Sequence, residues 1–308
     1  MTNDDISSGN GHRPKKGGMA FAPIAFLIAL IPIIFVVCAM MATHVGYISA
    51  DLGFKTLTLR YGSKLALAAL GVSLLSLLVS IFMNPGKYLG WAIAAVVLSG
   101  GATGGYFAYE RLLKQFPPIH DVSTDWDTAL TFSDALMADR GHNAALVEDM
   151  PRVPRDQSME WGGKTVAQIN AVTCPAAQPI RHKHLTDDQI ADVLKASHYR
   201  IFGRDHFRVE GIYQDNFFGF KSDLVVRIDP DRIDVRSTSR EDLPDLGGNC
   251  RRVTDLIAKL KALRDADPDP VDVPASPAAS GSAAAASDAA PVGKGQPAPA
   301  GGDDGGGD

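Results

Sequence analysis

Residues 224–238 read LVVRIDPDRIDVRST, two runs of alternating apolar and polar side chains around the turn DPDR. Alternation with a period of two is typical of β-strands, and an Asp-Pro turn favours reversal of the chain. A symmetric register places Ile228 opposite Ile233 and Arg227 opposite Asp234, so one face of the hairpin is apolar and the other carries a cross-strand charge pair. We therefore predict an antiparallel hairpin in this part of the chain.

The segments around this hairpin extend the prediction to an α+β domain. Residues 207–213 alternate like a third strand. Thr186 and Gln189 form a capping box for a helix that ends near His198, and a final helix with an apolar stripe starts near Asn249. We predict a small domain over residues 117–264, with an antiparallel sheet and helices packed on one face.

Three uncharged apolar runs precede the domain, at residues 20–42, 65–83 and 88–109. Each is long enough to cross a hydrocarbon core of roughly 30 Å as a helix. The first is longer than the core of a signal peptide, so we interpret it as retained. A four-residue turn at 84–87 makes the second and third a helical hairpin. The predicted fold is three transmembrane helices, within a membrane region at 20–113, followed by the α+β domain.

The two ends of the chain are polar. Residues 1–19 form a polar N-terminal tail, and 39 of the 44 residues at 265–308 are Ala, Pro, Gly, Ser or Asp. We predict that this acidic C-terminal tail is disordered, because it cannot bury enough apolar surface to offset chain entropy. No basic block stands out in a chain of net charge −5, so nucleic acid is not an expected partner.

Small residues line two of the predicted spans. Ser73, Ser76 and Ser80 share a face of the second span with Ala69, and the third carries small-xxx-small pairs. Our main interpretation is packing within one three-helix unit, and the alternative is an oligomer contact through Gly100, Gly101, Gly104 and Gly105. The spans contain no ionisable residue, which argues against a transporter or proton relay.

Positive charge suggests the orientation. Arg13, Lys15 and Lys16 precede the first span, which favours a cytoplasmic N-terminus. Because the number of spans is odd, the domain would then lie outside the cytoplasm. We expect a multi-pass protein of the bacterial cytoplasmic (inner) membrane, with the lipid bilayer as its first partner.

Three motifs resemble one known family. They are PPIHDVSTD at 117–125, FGFKSDLVVRI at 218–228, and DVRSTSR followed by DLGGNCRR within 234–252. In this order they resemble the bacterial domain-of-unknown-function family 1499, over roughly residues 117–263. The resemblance implies the kind of domain and is consistent with a multi-span N-terminus, but it implies no activity, cofactor or catalytic residue.

The strongest candidate site is a cluster of donors before the final helix. Glycines that enter a helix expose backbone N–H groups, and arginines add bidentate donors for phosphate or carboxylate. The anion-binding candidates are Ser239, Arg240, Gly247, Gly248, Asn249, Arg251 and Arg252. In the structural alternative, Asn249 or Asp245 caps the helix, and Arg240 or Arg252 pairs with a carboxylate such as Asp223 or Asp245.

Two other groups of residues have weaker signals. His120, Asp121, Ser123 and Asp125 include the residue types of a hydrolase triad, but no nucleophile-elbow motif accompanies them. The alternative is a hydrogen-bonded junction between the domain and the third span.

His182 and His184 would lie on one side of a strand and could bind a metal with Asp187 and Asp188, although surface histidines are the simpler interpretation. We expect no cofactor. Cys174 and Cys250 are expected to be unpaired.

Three functional hypotheses follow. The leading one is a non-enzymatic, membrane-anchored domain that binds an anionic ligand or an envelope protein. The second is a hydrolase or transferase that uses His120, Asp121 and the Arg240 and Arg252 pair. The third is a scaffold subunit whose membrane helices do the main work through their small-residue faces.

Overall fold

A computed structural model describes residues 21–83, 85–128, 130–181 and 185–266. The predicted N-terminal tail, the acidic tail beyond Ala266, and the pair His182 and His184 lie outside the described residues.

Three long helices open the described chain: α1 (Phe21–His44), α2 (Ser63–Met83) and α3 (Pro85–Gln115). All three are long and apolar enough to cross a membrane, which confirms the predicted N-terminal helices. The segment before α2 was not predicted from the sequence to be helical: Asp51–Gly62 forms a π-helix that continues into α2. Together they run for 33 residues. Since about 20 residues cross a bilayer, one end of this element extends beyond the hydrocarbon.

The interior of the three-helix bundle is made of small side chains. Ser73, Ser76 and Ser99 are fully buried, whereas Leu27 and Leu78 are more than half exposed. The hydroxyls of Ser73 and Ser99 each donate to the carbonyl four residues earlier, at 2.7 Å. Large apolar side chains outside and small ones inside suit a lipid environment, where close backbone approach holds helices together.

The glycines of α3 do not form this interior. A Cβ added at Gly101, Gly104 or Gly105 would meet no atom of the described residues within 4 Å. The buried face of α3 consists of Ala92, Ala95, Ser99 and Thr103. Our interpretation of the glycines as contacts within the bundle is therefore wrong for these three. The oligomer contact stays a prediction.

The soluble domain is built on a six-stranded sheet with the order β1-β6-β5-β4-β3, and β2 also pairs with β6. The strands are β1 (Asp121–Ser123), β2 (Ile180–Arg181), β3 (Tyr199–Asp205), β4 (Arg208–Gln214), β5 (Lys221–Ile228) and β6 (Arg232–Ser239). All pairings are antiparallel. The predicted register of the central hairpin is confirmed, with Ile228 opposite Ile233 and Arg227 opposite Asp234.

The apolar face of the sheet packs against two helices. They are α6 (Asp187–Ala196), which begins with the predicted Thr186–Gln189 capping box, and α7 (Gly248–Ala266). Leu194 of α6 and Leu256 of α7 share one core with Leu224 and Val235 of the sheet. The structure thus has the mixed α+β architecture that the sequence predicts. A shorter helix, α5 (Val166–Thr173), packs on β1.

The charged face of the sheet is also buried. The segment that contains α4 (Asp134–Arg140) covers it, placing Leu130 and Leu136 on Ile212 and Val225. Charged side chains beneath this cover are paired. Arg236, 1% exposed, holds Asp121 through Nη2 at 2.6 Å.

Candidate functional site

A cavity of about 260 Å³ lies where the soluble domain meets the ends of the long helices. We call it the junction cavity. Phe54 of the π-helix and Tyr109 of α3 form its membrane side, and Tyr213 and Ser222 are on its domain side. The aromatic rings of Phe54 and Tyr109 contact each other edge to face, with centroids 5.9 Å apart.

The contact between the two regions depends on the loop between β4 and β5. Phe218 and Phe220 of this loop pack on the ring of Phe54, with centroids at 4.9 and 5.3 Å. Between them, Gly219 has φ +74°, and a Cβ there would lie 2.9 Å from the Cα of His44 at the end of α1. Asp215 holds the loop by accepting backbone N–H bonds from Phe217, Phe218 and Phe220. Only glycine allows so close an approach with this backbone conformation.

The register of three strands builds the polar wall of the junction cavity. Tyr213 of β4 lies opposite Ser222 of β5, which lies opposite Ser239 of β6. The two serine hydroxyls are 3.3 Å apart and hydrogen-bonded. Arg252 of α7 reaches this row, donating from Nη2 to Ser222 Oγ at 3.0 Å, and its guanidinium stacks on the Tyr213 ring at 4.6 Å.

Arg252 has a buried donor without a hydrogen-bond partner in the described part of the chain. Its Nη2 also donates to Asn249 Oδ1 at 2.6 Å. Its Nε, however, is buried and has no hydrogen-bond partner among the described residues. An unpaired buried donor on a charged group is costly. The Arg252 side chain as a whole is part of the wall of the junction cavity.

Three carboxyl groups line the same cavity: Asp215, Glu241 and Asp245. Burial raises the pKa of Glu241 to about 7, even though its Oε1 accepts the Lys221 N–H at 3.1 Å. Burial also raises the pKa of Asp245, which accepts N–H bonds from Gly247 and Asn249 at the start of α7. The cavity therefore contains the Arg252 guanidinium beside three carboxyl groups. Two of them, Glu241 and Asp245, ionise only at a higher pH than usual.

The structure separates the three arginines of the predicted anion cluster. Only Arg252 lines the junction cavity. Arg240 is buried and holds Asp223 through Nε, at 3.0 and 2.9 Å, and Asp139 through Nη2, at 2.8 Å. Its hydrogen bond lowers the pKa of Asp139. Arg251 is exposed and donates to the carbonyl of Leu246 at 3.0 Å.

The remaining members of the cluster form the start of α7. Gly247 has φ +72°, as a tight turn requires, and Gly248 begins the helix. The Asn249 side chain is buried and links three elements. Its Nδ2 donates to the His120 carbonyl and to Ser239 Oγ, and its Oδ1 accepts from Ser237 Oγ.

Residues 120–125 form hydrogen-bonded links along β1. The carbonyl of His120 accepts the N–H of Ser239 at 2.9 Å, and Asp121 pairs with Arg236. The Ser123 hydroxyl donates to the carbonyl of Asp125 at 2.6 Å instead of to the imidazole of His120. Burial opposes ionisation of Asp125, but hydrogen bonds from the Thr128 N–H and from Arg227 outweigh it and lower its pKa.

The expectation that Cys174 and Cys250 are unpaired is wrong. They form a disulfide, with Cα atoms 5.8 Å apart. Cys174 directly follows α5 as its C-cap residue and Cys250 lies in the first turn of α7, and both helices contact β1. A separation of 76 residues in sequence concealed this proximity.

Sequence reasoning also missed several residues of the cavity. The pairing of Tyr213, Ser222 and Ser239 could have been found by extending the hairpin register one strand further. Phe54 and Tyr109 carried no such signal, because only the packing of the domain on the helices brings them to the site.

These observations define the class of protein: a small α+β domain packed on the ends of three helices that are long and apolar enough to cross a membrane. Residues 121–260 match the family described as Protein of unknown function (DUF1499), which is the family that the sequence motifs resemble. Searches of curated proteins and of solved structures found no match.

Proposed function

We propose that this protein is a non-enzymatic, membrane-anchored binding domain, and that its ligand carries a phosphate or carboxylate that binds at Arg252 in the junction cavity. The place of Arg252 in the wall of this cavity, beside the Ser222 hydroxyl and the Tyr213 ring, carries this proposal. A guanidinium in the wall of a cavity of about 260 Å³ can form a charge-assisted hydrogen bond to an oxyanion. The bond between Ser222 and Ser239 uses one of their two hydroxyl protons, which leaves the other for a ligand.

The other hypotheses have less support from the geometry. A hydrolase or transferase would need Asp121 or Arg240 to face substrate, and both are engaged in buried ion pairs. A scaffold or envelope partner could use Gly104 of α3, where an added Cβ meets no described atom within 4 Å, but no further feature there favours a particular protein.

The disulfide supports the side of the membrane that the N-terminal charges suggest. Disulfides form and persist in oxidising compartments and are rare in the cytosol. The proposal therefore places the domain outside the cytoplasm, on the outer face of a bacterial cytoplasmic membrane. Only ligands found in the envelope are then relevant.

The test of anion binding uses the full-length protein in detergent with inorganic phosphate as the probe. Phosphate should raise the unfolding midpoint of the wild type and of Arg251→Gln by similar amounts, and should leave that of Arg252→Gln unchanged. Arg251 is a matched control because it is the adjacent arginine and does not line the cavity. Equal stabilisation of all three proteins would refute the proposal.

The side of the membrane is tested separately. Cys38, the free cysteine, is replaced by alanine, and the exposed Asp255 is replaced by cysteine. An impermeant maleimide should label this variant in intact cells. If labelling requires lysis, the domain is cytoplasmic and that part of the proposal is wrong.

A further inference from the structure

A second cavity adjoins the junction cavity within the long helices. It is a groove of about 320 Å³ between α1, the π-helix and α3, and we call it the helix groove. Its walls include Pro32, Val36, Ala102 and Gly105. The Tyr106 hydroxyl donates to the Thr58 carbonyl at 3.0 Å, and the Thr58 hydroxyl donates to the Gly53 carbonyl at 2.9 Å. Because these polar atoms are satisfied, the groove offers an apolar surface that suits a hydrocarbon chain.

The helix groove and the junction cavity meet at two aromatic rings. Phe54 and Tyr109 line both. A polar, charged cavity thus lies next to an apolar groove among helices apolar enough to lie in a membrane, with Phe54 and Tyr109 at the boundary between them. This order of surfaces matches an amphiphile whose headgroup lies at the membrane boundary and whose chain lies in the bilayer.

The charges of the junction cavity restrict the headgroup. Arg252 can bind a phosphate, whereas Glu241, Asp215 and Asp245 would oppose any additional negative charge. An ammonium group beside these carboxyls would instead be attracted. A headgroup with both a phosphate and an amine complements the cavity better than a purely anionic one.

We propose that the ligand of the junction cavity is a zwitterionic phospholipid that carries a primary amine, with its phosphate at Arg252, its ammonium at Glu241 and one acyl chain in the helix groove. This inference rests on the proposed anion site at Arg252 and adds the class of ligand and the position of its chain. The junction cavity would recognise the headgroup. The helix groove would favour a phosphate attached to a membrane lipid over a soluble phosphate.

The experiment measures lipids bound to the purified full-length protein by native mass spectrometry, with added phosphatidylethanolamine or phosphatidylglycerol. Glycerophosphoethanolamine, the soluble headgroup, is a third probe. We expect the wild type to bind phosphatidylethanolamine at least tenfold more tightly than phosphatidylglycerol. Glu241→Gln should remove most of this preference, and Arg252→Gln should weaken binding of both lipids.

Two glycine variants test the acyl chain. Gly105→Leu fills the helix groove, whereas Gly104→Leu adds the same side chain at a glycine outside it, and both positions have open space for a Cβ. Gly105→Leu should weaken phosphatidylethanolamine binding about tenfold without affecting glycerophosphoethanolamine, and Gly104→Leu should affect neither.

The outcomes separate the two proposals. If glycerophosphoethanolamine or phosphate binds through Arg252 but Gly105→Leu binds lipid as the wild type does, the anion site stands and the lipid inference falls. Equal binding of the two lipids by the wild type also overturns the inference, because it indicates only annular lipid. If Arg252→Gln changes binding of no probe, both proposals fall.

Discussion

The helix bundle and the soluble domain sort their side chains in opposite ways. In the bundle, Ser73 and Ser76 are fully buried, while Leu74 is 50% exposed. In the domain, Leu224 and Val235 are fully buried beneath two helices. The bundle is arranged for lipid and depends on small side chains that let helices approach, whereas the domain depends on apolar burial in water.

The domain departs from this scheme on the charged face of its sheet. Asp223 is fully buried between Arg140 and Arg240, and pairs with both. Buried ion pairs add little net stability when complete, but removing one partner leaves an uncompensated charge. The bundle has no such charges to lose along its spans. Removing one partner of a buried ion pair should therefore destabilise the domain, and no equivalent substitution exists within the spans of the bundle.

The largest expected effect is on the buried ion pair. Asp223→Ala should lower the free energy of unfolding of the domain by about 3–5 kcal/mol, because two arginines lose their shared partner in the interior. Thermal or urea unfolding of the full-length protein in detergent, followed by circular dichroism, would measure the loss.

Asp192→Ala is the matched control for this prediction. Asp192 also pairs with a basic residue, Lys195, but both side chains are more than half exposed. Exposed pairs contribute little to stability, so Asp192→Ala should have only a small effect. Similar losses in the two variants would mean that the pairs around Asp223 are not buried as described.

The next largest effect is expected in the interior of the bundle, where the buried side chains are small. Ser73→Leu should destabilise the bundle by roughly 1–3 kcal/mol, because a large side chain must enter a tightly packed interior. Gly71→Leu adds the same side chain to the exposed face of α2 and should cost far less. Helix unfolding in a detergent titration would show the difference. A more stable Ser73→Leu variant would indicate that this interior is loosely packed.

An effect of similar size is expected where the two regions touch. Gly219→Ala should cost about 1–3 kcal/mol and loosen the loop from His44, since a Cβ cannot fit there. Gly141→Ala shares the positive φ, at +75°, but has no described atom within 4 Å of its added Cβ. Hydrogen exchange of residues 215–220 should rise only in Gly219→Ala. If both variants exchange alike, the loop does not hold the domain on the helices.

The sequence revealed the two regions better than the contact between them. Hydrophobic runs predicted the three helices, and alternation predicted the β5–β6 register down to Arg227 opposite Asp234. Both are local signals with a fixed period. Local patterns do not contain the disulfide between Cys174 and Cys250, or the meeting of Phe54 with Phe218. These contacts depend on how separate elements pack, and the junction cavity depends on them too.

The same limit applies to the candidate site. The residue types near α7 identified anion-binding candidates in the sequence. Which of them can reach a ligand depends on which are buried in the folded domain. Arg240 and Arg252 look equivalent in sequence, yet one is enclosed by Asp223 and Asp139 and the other lines a cavity. What distinguishes the two arginines is where each side chain points in the folded domain, which their positions in the sequence do not indicate.

A pH dependence of stability is expected to arise at the junction. Burial raises the pKa of Glu241 from 4.5 to about 7, so the folded protein holds a proton that the unfolded chain has already lost. Stability due to this group is therefore greatest below about pH 4.5 and falls as pH rises to 7, by at most about 1.4 kcal/mol per pH unit. The raised pKa of Asp245 likewise makes stability fall as pH rises. The lowered pKa values of Asp125 and Asp139 have the opposite sign: the stability they contribute is lost as pH falls, at more acidic pH.

Unfolding of Glu241→Gln between pH 5 and 8 would isolate this contribution, because histidines titrate alike in both proteins and cancel in the difference. The variant should lose less stability than the wild type as pH rises, and Asp242→Asn, at the exposed neighbouring position, should follow the wild type. A bound amine would stabilise the charged carboxylate, so phosphatidylethanolamine should flatten the wild-type profile towards that of Glu241→Gln. If the wild type and Glu241→Gln have the same profile without lipid, Glu241 is not buried as the structure places it, and the carboxyl side of the junction cavity is open to water.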